Sequence, residues 1–480
     1  MGKLGSLAKD TAIYGMSSIV GRFLNYLLVP LYTHCMPSEN GEYGVSVNMY
    51  AYTALVLVIL TFGMETTLFR FANKEGEKPD TVFTTGFAVI AVLTTVFLAS
   101  VFGFVGPISE WLGYAEHHEY LLMMATVISL DALQALPFSY LRLKKRPIKF
   151  ASLKMLFIVF NILLNCVYFL WLGKTEVFYV FLINLWCTGA ITFFFIPDLI
   201  KIKWQFDGAL LKRMLSYSWP LLILGIAGIL NQTFDKIAYP LAYNHADAQT
   251  QLGIYGACVK IAMIMAMITQ AFRYAYEPLV FAISKDKDSK QTYATSMKFF
   301  IIFTLLAFLG VMAYMNILQY IIGSGYREGL KVVPIVMVAE IMMGIYFNLS
   351  FWYKLIDKTI YGAWFSIAGC IVLIAVNLLF INEYSYMACA WGGVAGYGTA
   401  MVLSYVVGQK KNPIDYPMKS ITVYVLITVL FYAIIEWSNS HLPVIFALVV
   451  NTGVIVAFIG HVIYHDLPIT PILKRLHLKK

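Results

Sequence analysis

Inside long apolar stretches of this 480-residue chain stand four cations, Arg22, Lys154, Lys236 and Lys260, and three carboxylates, Asp131, Asp235 and Glu340. A charge at mid-membrane costs roughly 2.5–3.5 kcal/mol on insertion scales, so each needs a partner or a wet cavity. The cations suit an anionic ligand, because they replace its lost hydration with charge-assisted hydrogen bonds. Arg22 sits near the middle of the first stretch, and Lys260 replaces Asn48 of an equivalent position described below. Lys154, at the inner end of its stretch, can instead snorkel to lipid phosphates. A carboxyl in low dielectric can carry a proton near neutrality, whereas sodium needs several oxygens around it. Asp131, Asp235 and Glu340 are the candidates for ion coupling, with H+ and Na+ both open. Asp235 and Lys236 are adjacent, about 100° apart on a helix, so they are expected not to neutralise each other and one faces a cavity.

Glu65 and Glu277 fall at matching helix ends, where the helix dipole disfavours negative charge. They call for cations, and Arg70 and Arg273 are near. Arg273 and Glu277 have the spacing of four that lets side chains meet along one helix. These four residues are candidates for a cytoplasmic gate.

Chemistry of other kinds has no carrier in the sequence. It contains no phosphate-binding glycine loop, paired metal ligands or nucleophile motif, and its six cysteines lack metal-type spacing. Connections between apolar stretches are too short for a folded catalytic loop. The expectation is a transporter and not an enzyme, with no cofactor and no metal, driven by an ion gradient.

The elements that must hold these charges are membrane helices. Hydrophobic residues make up 60% of the chain and charged residues 13%, far from the roughly 45–50% and about 25% of soluble domains. A helix needs about 20 apolar residues to cross a bilayer, and fourteen candidate spans begin near residues 11, 43, 81, 118, 150, 176, 217, 252, 293, 329, 360, 385, 418 and 441. Runs this long and continuous are helices, not barrel strands. Placing both termini in the cytoplasm gathers nearly all loop Lys and Arg on one side and leaves Lys174, Arg327 and Lys331 on the other, as the positive-inside rule requires. The net charge of +9 is then mostly topology, and no nucleic-acid partner is implied. The first span follows only a short leader and carries Gly15, Arg22 and Asn25, so no cleavable signal peptide is expected.

The chain also matches itself at a shift of 212. GEYGVSVN at 41–48 lies on GIYGACVK at 253–260, Glu65 on Glu277, Arg142 on Lys354 and Asn165 on Asn377. Spans three to six map onto nine to twelve, a parallel repeat of the transporter kind. The implied organisation is an N-terminal six-helix lobe at 1–203, a cytoplasmic linker helix at 204–216, a second six-helix lobe at 217–410, and two further spans with a cytoplasmic tail at 411–480. Pro30 and Pro240 match as well, and a proline inside each lobe's first helix allows that helix to bend.

The opening KDTAIYGMSSIVGRFLNYLLVPLYT, the run FGMETTLFRFANKE, the pair GIYGACVKIAMI and QAFRYAYEPLVF, and VVPIVMVAEIMMGIYFNLSFWYKLIDKTIYGA resemble the polysaccharide-export branch of the multidrug/oligosaccharidyl-lipid/polysaccharide exporter superfamily, the Wzx-type flippases. The resemblance covers nearly the whole chain. It implies an all-α polytopic fold of two pseudo-symmetric six-helix bundles in a MATE-like V, with two extra C-terminal helices and a cationic central cavity. It also implies transfer of an undecaprenyl-diphosphate-linked oligosaccharide across the bacterial inner membrane, for O-antigen, lipopolysaccharide or capsule, beside a polymerase and glycosyltransferases. A cation-coupled multidrug exporter of the same superfamily is the alternative.

Overall fold

The computed structural model describes residues 26–282, 288–356 and 358–466, and among them every regular element is helical. The first half contains α1 Leu28–Cys35, α2 Glu42–Thr61, α3 Met64–Ala72, α4 Pro79–Gly103, α5 His118–Leu143, α6 Pro147–Cys166 and α7 Val177–Lys201. The long α8 Gly208–Ala242 leads into α9 Ala248–Ala262, α10 Ile264–Ala282, α11 Ser289–Ala313, α12 Val333–Leu349, α13 Phe351–Leu355, α14 Ile360–Tyr384 and α15 Tyr386–Lys411. Two more, α16 Met418–His441 and α17 Val444–Asp466, follow.

Among the described residues, eleven helical segments are long and apolar enough to cross a membrane, or twelve if the pair Ala248–Ala262 and Ile264–Arg273, bent by 41°, is one span. Two of the fourteen expected spans remain. The one near residue 11 lies outside the described residues. The other is α15, whose Gly392, Gly393, Gly396 and Gly398 dilute its apolar character. Those glycines serve packing: a Cβ added at Gly369 would stand 2.7 Å from the Gly396 carbonyl oxygen, the close backbone approach that small residues allow in membranes.

By contact the chain groups into two compact units, Met1–Ala257 with Ile374–Cys389, and Cys258–Leu373 with Ala390–Lys480. The boundaries between these units fall inside α9, α14 and α15. The linker differs from expectation. Residues 203–207 are non-helical, and α8 then runs unbroken from Gly208 through Pro220 and Pro240, so no separate surface helix exists at 204–216. Asp207 sets the start, its carboxylate accepting from the Ala209 and Leu210 amides at 2.9 and 3.0 Å, which satisfies two of the orphan donors of the first turn. Helix breaks occur elsewhere, at Phe62–Gly63, both with positive φ, and at Met263.

In the first unit, Leu60, Met64, Phe83, Ala132, Leu136 and Met214 form the middle of an apolar core joining α2, α3, α4, α5 and α8. The repeated glycine motif explains itself here. Gly41 caps α2 at φ 69°, a Cβ on Gly44 would stand 1.8 Å from the Gln249 carbonyl oxygen, and one on Gly256 would meet Val47 at 2.6 Å. Matching glycines thus press α2 and α9 together from both sides. The matched Asn165 and Asn377 are both fully buried but differ. Asn165 accepts from the Tyr32 hydroxyl at 2.8 Å, while neither side-chain polar atom of Asn377 has a partner among the described residues. The offset of 210 that matches the prolines puts Ala242 where Tyr32 stands, so the hydroxyl donor is missing in the second half.

In the second unit, the two helices beyond the repeat are fastened to α11 at two levels. At one level Lys298 pairs with Asp466, which also accepts from Tyr424. At the other, Asn451 donates to the Ala313 carbonyl and to Asn439 Oδ1, each at 2.9 Å, and Asn316 donates to the same oxygen. Polar contacts of this kind average about 0.6 kcal/mol between membrane helices.

Candidate functional site

Two groups of intramembrane charge lie in the first unit. On α8 the Lys236 ammonium is 2.8 Å from Asp235 Oδ2 and also donates to the Gln232 carbonyl. Tyr255 on α9 donates to the same Asp235 oxygen at 2.7 Å. Contrary to the expectation from the helical wheel, the neighbours therefore neutralise each other. The wheel places only the Cβ atoms; a four-carbon stem can curl back to the preceding turn and the adjacent carboxylate. Asn48 fixes this stretch of α8, donating to the Lys236 carbonyl at 2.7 Å while accepting from Tyr114 at 2.7 Å.

The second group sets Lys154 within electrostatic reach of Asp131 and Glu65. Its ammonium lies 4.0 Å from the centre of the Phe138 ring, a cation–π contact. Glu65 accepts from Ser139 at 2.9 Å. Arg70 does not pair with Glu65 but stacks on Tyr217, 4.1 Å from its ring centre. Five residues apart on α3, the two point about 140° from each other, which corrects the gate pairing expected there.

The second unit meets the corresponding expectation. Arg273 Nε is 3.4 Å from Glu277 Oε2 at the spacing of four, and Lys354 reaches Glu277 Oε1 at 3.3 Å from α13. Lys260 and Glu340 are each half-buried, on α9 and α12, and both have interactions with other groups. Arg22 lies outside the described residues. Pro30 falls within α1 and Pro240 within α8.

Sequence reasoning missed Tyr255, Ser139 and Lys354 as partners of these carboxylates. The repeat held a signal for two of them, since Tyr43 matches Tyr255 and Arg142 matches Lys354. Ser139 had none. Among the described residues, no group of three or more His, Cys, Asp or Glu is arranged to hold a metal ion.

The fold is shared with solved transporters. The structure of "Lipid II flippase MurJ, inward closed conformation" matches at TM-score 0.74 and 15% identity, covering 94% of this chain and 98% of that one. An inward-facing multidrug resistance MATE family transporter of the MOP superfamily matches at 0.64 and 13%, covering 81% and 94%. The MATE multidrug transporter DinF-BH matches at 0.59 and 16%, covering 84% and 95%. Comparison with curated proteins gives no match. Apolar helices and fold together define a multi-pass helical membrane protein with the fold of these transporters. The model of the family described as "Polysaccharide biosynthesis protein" matches residues 39–331, and the chain belongs to that family, as the Wzx-type resemblance implied.

Proposed function

We propose that this protein is a flippase that moves an undecaprenyl-diphosphate-linked oligosaccharide from the cytoplasmic to the outer leaflet of the bacterial inner membrane, for assembly of a surface polysaccharide such as O-antigen or capsule. The observation that carries this is membership of a polysaccharide biosynthesis family in a chain that shares the fold of a lipid II flippase over 94% of its length. A diphosphate headgroup cannot enter hydrocarbon without replacement of its hydration, and Arg22, Lys260, Lys236 and Lys154 are the cations proposed to supply it. Lys236, already paired with Asp235, contributes only where that pair opens. The step is transport with no bond made or broken, driven by H+ or Na+ acting through Asp235, Glu340 or Asp131. Fourteen spans with both termini in the cytoplasm, bending at Pro30 and Pro240, and a cytoplasmic gate of Glu65, Arg273 and Glu277 belong to the same proposal. Glycosyltransferases and a polymerase are the expected partners.

The likeness to multidrug transporters supports a second reading as a cation-coupled drug exporter. The two readings separate on complementation of a flippase-deficient strain. We expect the wild-type gene to restore surface glycan and Arg22→Ala and Lys260→Ala to lose most of it. Full glycan with both variants would defeat the role given to these cations, and drug resistance without glycan would favour the exporter.

A further inference from the structure

A narrow cavity lies within the second unit among α10, α12 and α13, and Thr269, Arg273, Asn348 and Lys354 line it together with Phe272 and Phe347. Thr269 is only 5% exposed, and its Oγ1 has no hydrogen-bond partner among the described residues; the buried Oδ1 of Asn348 has none either. A polar atom buried without a partner is unfavourable until something pairs with it. The Asn348 amide nitrogen is occupied, donating to the Gly344 carbonyl at 3.1 Å, so what remains is an acceptor awaiting a donor. Thr269 offers a hydroxyl that can donate or accept. Arg273 and Lys354 share a single carboxylate, Glu277, which leaves the trio net positive.

The first half of the repeat keeps Glu65 and Arg142 where the second has Glu277 and Lys354, but fills much of the matched place with apolar side chains. At the shift of 212, Leu57, Leu60, Met64, Ala132 and Leu136 stand where the second half has Thr269, Phe272, Tyr276, Gly344 and Asn348, and they belong to the apolar core of the first unit. Leucine and methionine meet a packing role in full. A hydroxyl, an amide and a glycine at those positions give up contact and leave polar atoms unsatisfied, which a bound group would offset.

We propose that this cavity is a subsite for a sugar phosphate. The phosphate displaces Glu277 as the counter-ion of Arg273 and Lys354 and accepts from the Thr269 hydroxyl. A sugar hydroxyl donates to Asn348 Oδ1, and the ring rests against Phe272 and Phe347. As it stands the cavity has room for about one water. Entry therefore requires Glu277 and Arg273, 34% and 47% exposed, to swing outward, and Glu277 acts as an internal stand-in that keeps the site closed until a stronger anion arrives. Phosphate suits the exchange, because it presents more acceptor oxygens to the two cations than a carboxylate does. A neutral sugar has no use for those cations, and a cationic drug is repelled by them.

The inference rests on the proposed cargo for its biological meaning, but its test is read on the resting protein. Purified full-length protein in nanodiscs is titrated with glucose 1-phosphate and with inorganic phosphate. Glu277→Gln, which frees both cations, is expected to tighten both probes by about tenfold, equivalent to about 1.4 kcal/mol, and Lys354→Gln to weaken both. Asn348→Leu is expected to weaken glucose 1-phosphate and leave inorganic phosphate unchanged. Unchanged or weaker binding in Glu277→Gln overturns the proposal. Should the charge variants not fold, Thr269→Val decides: weaker binding of both probes supports the subsite and unchanged binding overturns it. Binding as predicted in a protein that flips no lipid-linked saccharide would remove the proposed function and keep the subsite; flipping without probe binding would do the reverse.

Discussion

Lys236 reaches the carboxylate of Asp235 by curling back along its own helix, and Tyr255 completes the contact from α9. The two side chains are 20% and 12% exposed, so removing one partner strands the other in a poorly solvated place. Breaking such a pair costs about 3–5 kcal/mol, whereas removing both charges is often close to neutral. Lys236→Met alone is therefore expected to destabilise the protein by about 3 kcal/mol, at the lower end because some solvent reaches the pair, and adding Asp235→Asn to restore most of the loss. Denaturant unfolding in detergent checks this, and equal stability of the single and double variants would deny the coupling. Such partners were hard to read from sequence because they join helices far apart in the chain. Spacing revealed Arg273 with Glu277, which share a helix, and misassigned Arg70, whose offset of five turns it away from Glu65. It was silent on Ser139, Tyr255 and Lys354.

At the level of helices, composition was a good guide to existence and a poorer one to ends. Lipid leaves long apolar runs no alternative to helix, and the described spans lie where those runs are. The start of α8 depends on one capping aspartate, a local contact that hydropathy does not register, so the sequence pattern alone does not separate the linker from the helix. In α15 the same measure fell short because glycines trade apolar area for close approach. The repeated glycines of α2 and α9 do likewise, and they carry the strongest prediction at this scale. Gly44→Ala drives a methyl group into the Gln249 carbonyl, beyond the roughly 1–3 kcal/mol of ordinary overpacking, and is expected to abolish recovery of folded protein. Gly453→Ala, in α17 with nothing within 4 Å of the added carbon, is expected to leave stability unchanged or raise it by up to about 1 kcal/mol. Equal yields and melting temperatures for the two would show that the contact does not matter.

For the molecule as a whole, duplication and hydropathy made a multi-pass helical membrane fold legible before any coordinates, because repeats and apolar periodicity are properties of the chain itself. What the halves do differently was less visible. Asn165 keeps its tyrosine while Asn377 does not, and a leucine core in one half becomes a polar cavity in the other. In the proposed flippase, this difference between the halves would assign ligand handling to the second unit. The most direct test of that function is leaflet exchange in sealed proteoliposomes carrying this protein as the sole component, with a fluorescent undecaprenyl-diphosphate-linked saccharide and an impermeant quencher outside. The account predicts that label in the inner leaflet becomes accessible at least tenfold faster than in protein-free vesicles, with the rate rising under a proton or sodium gradient. Exchange no faster than in empty vesicles, under gradients that drive export of a cationic dye by the same preparation, would contradict it.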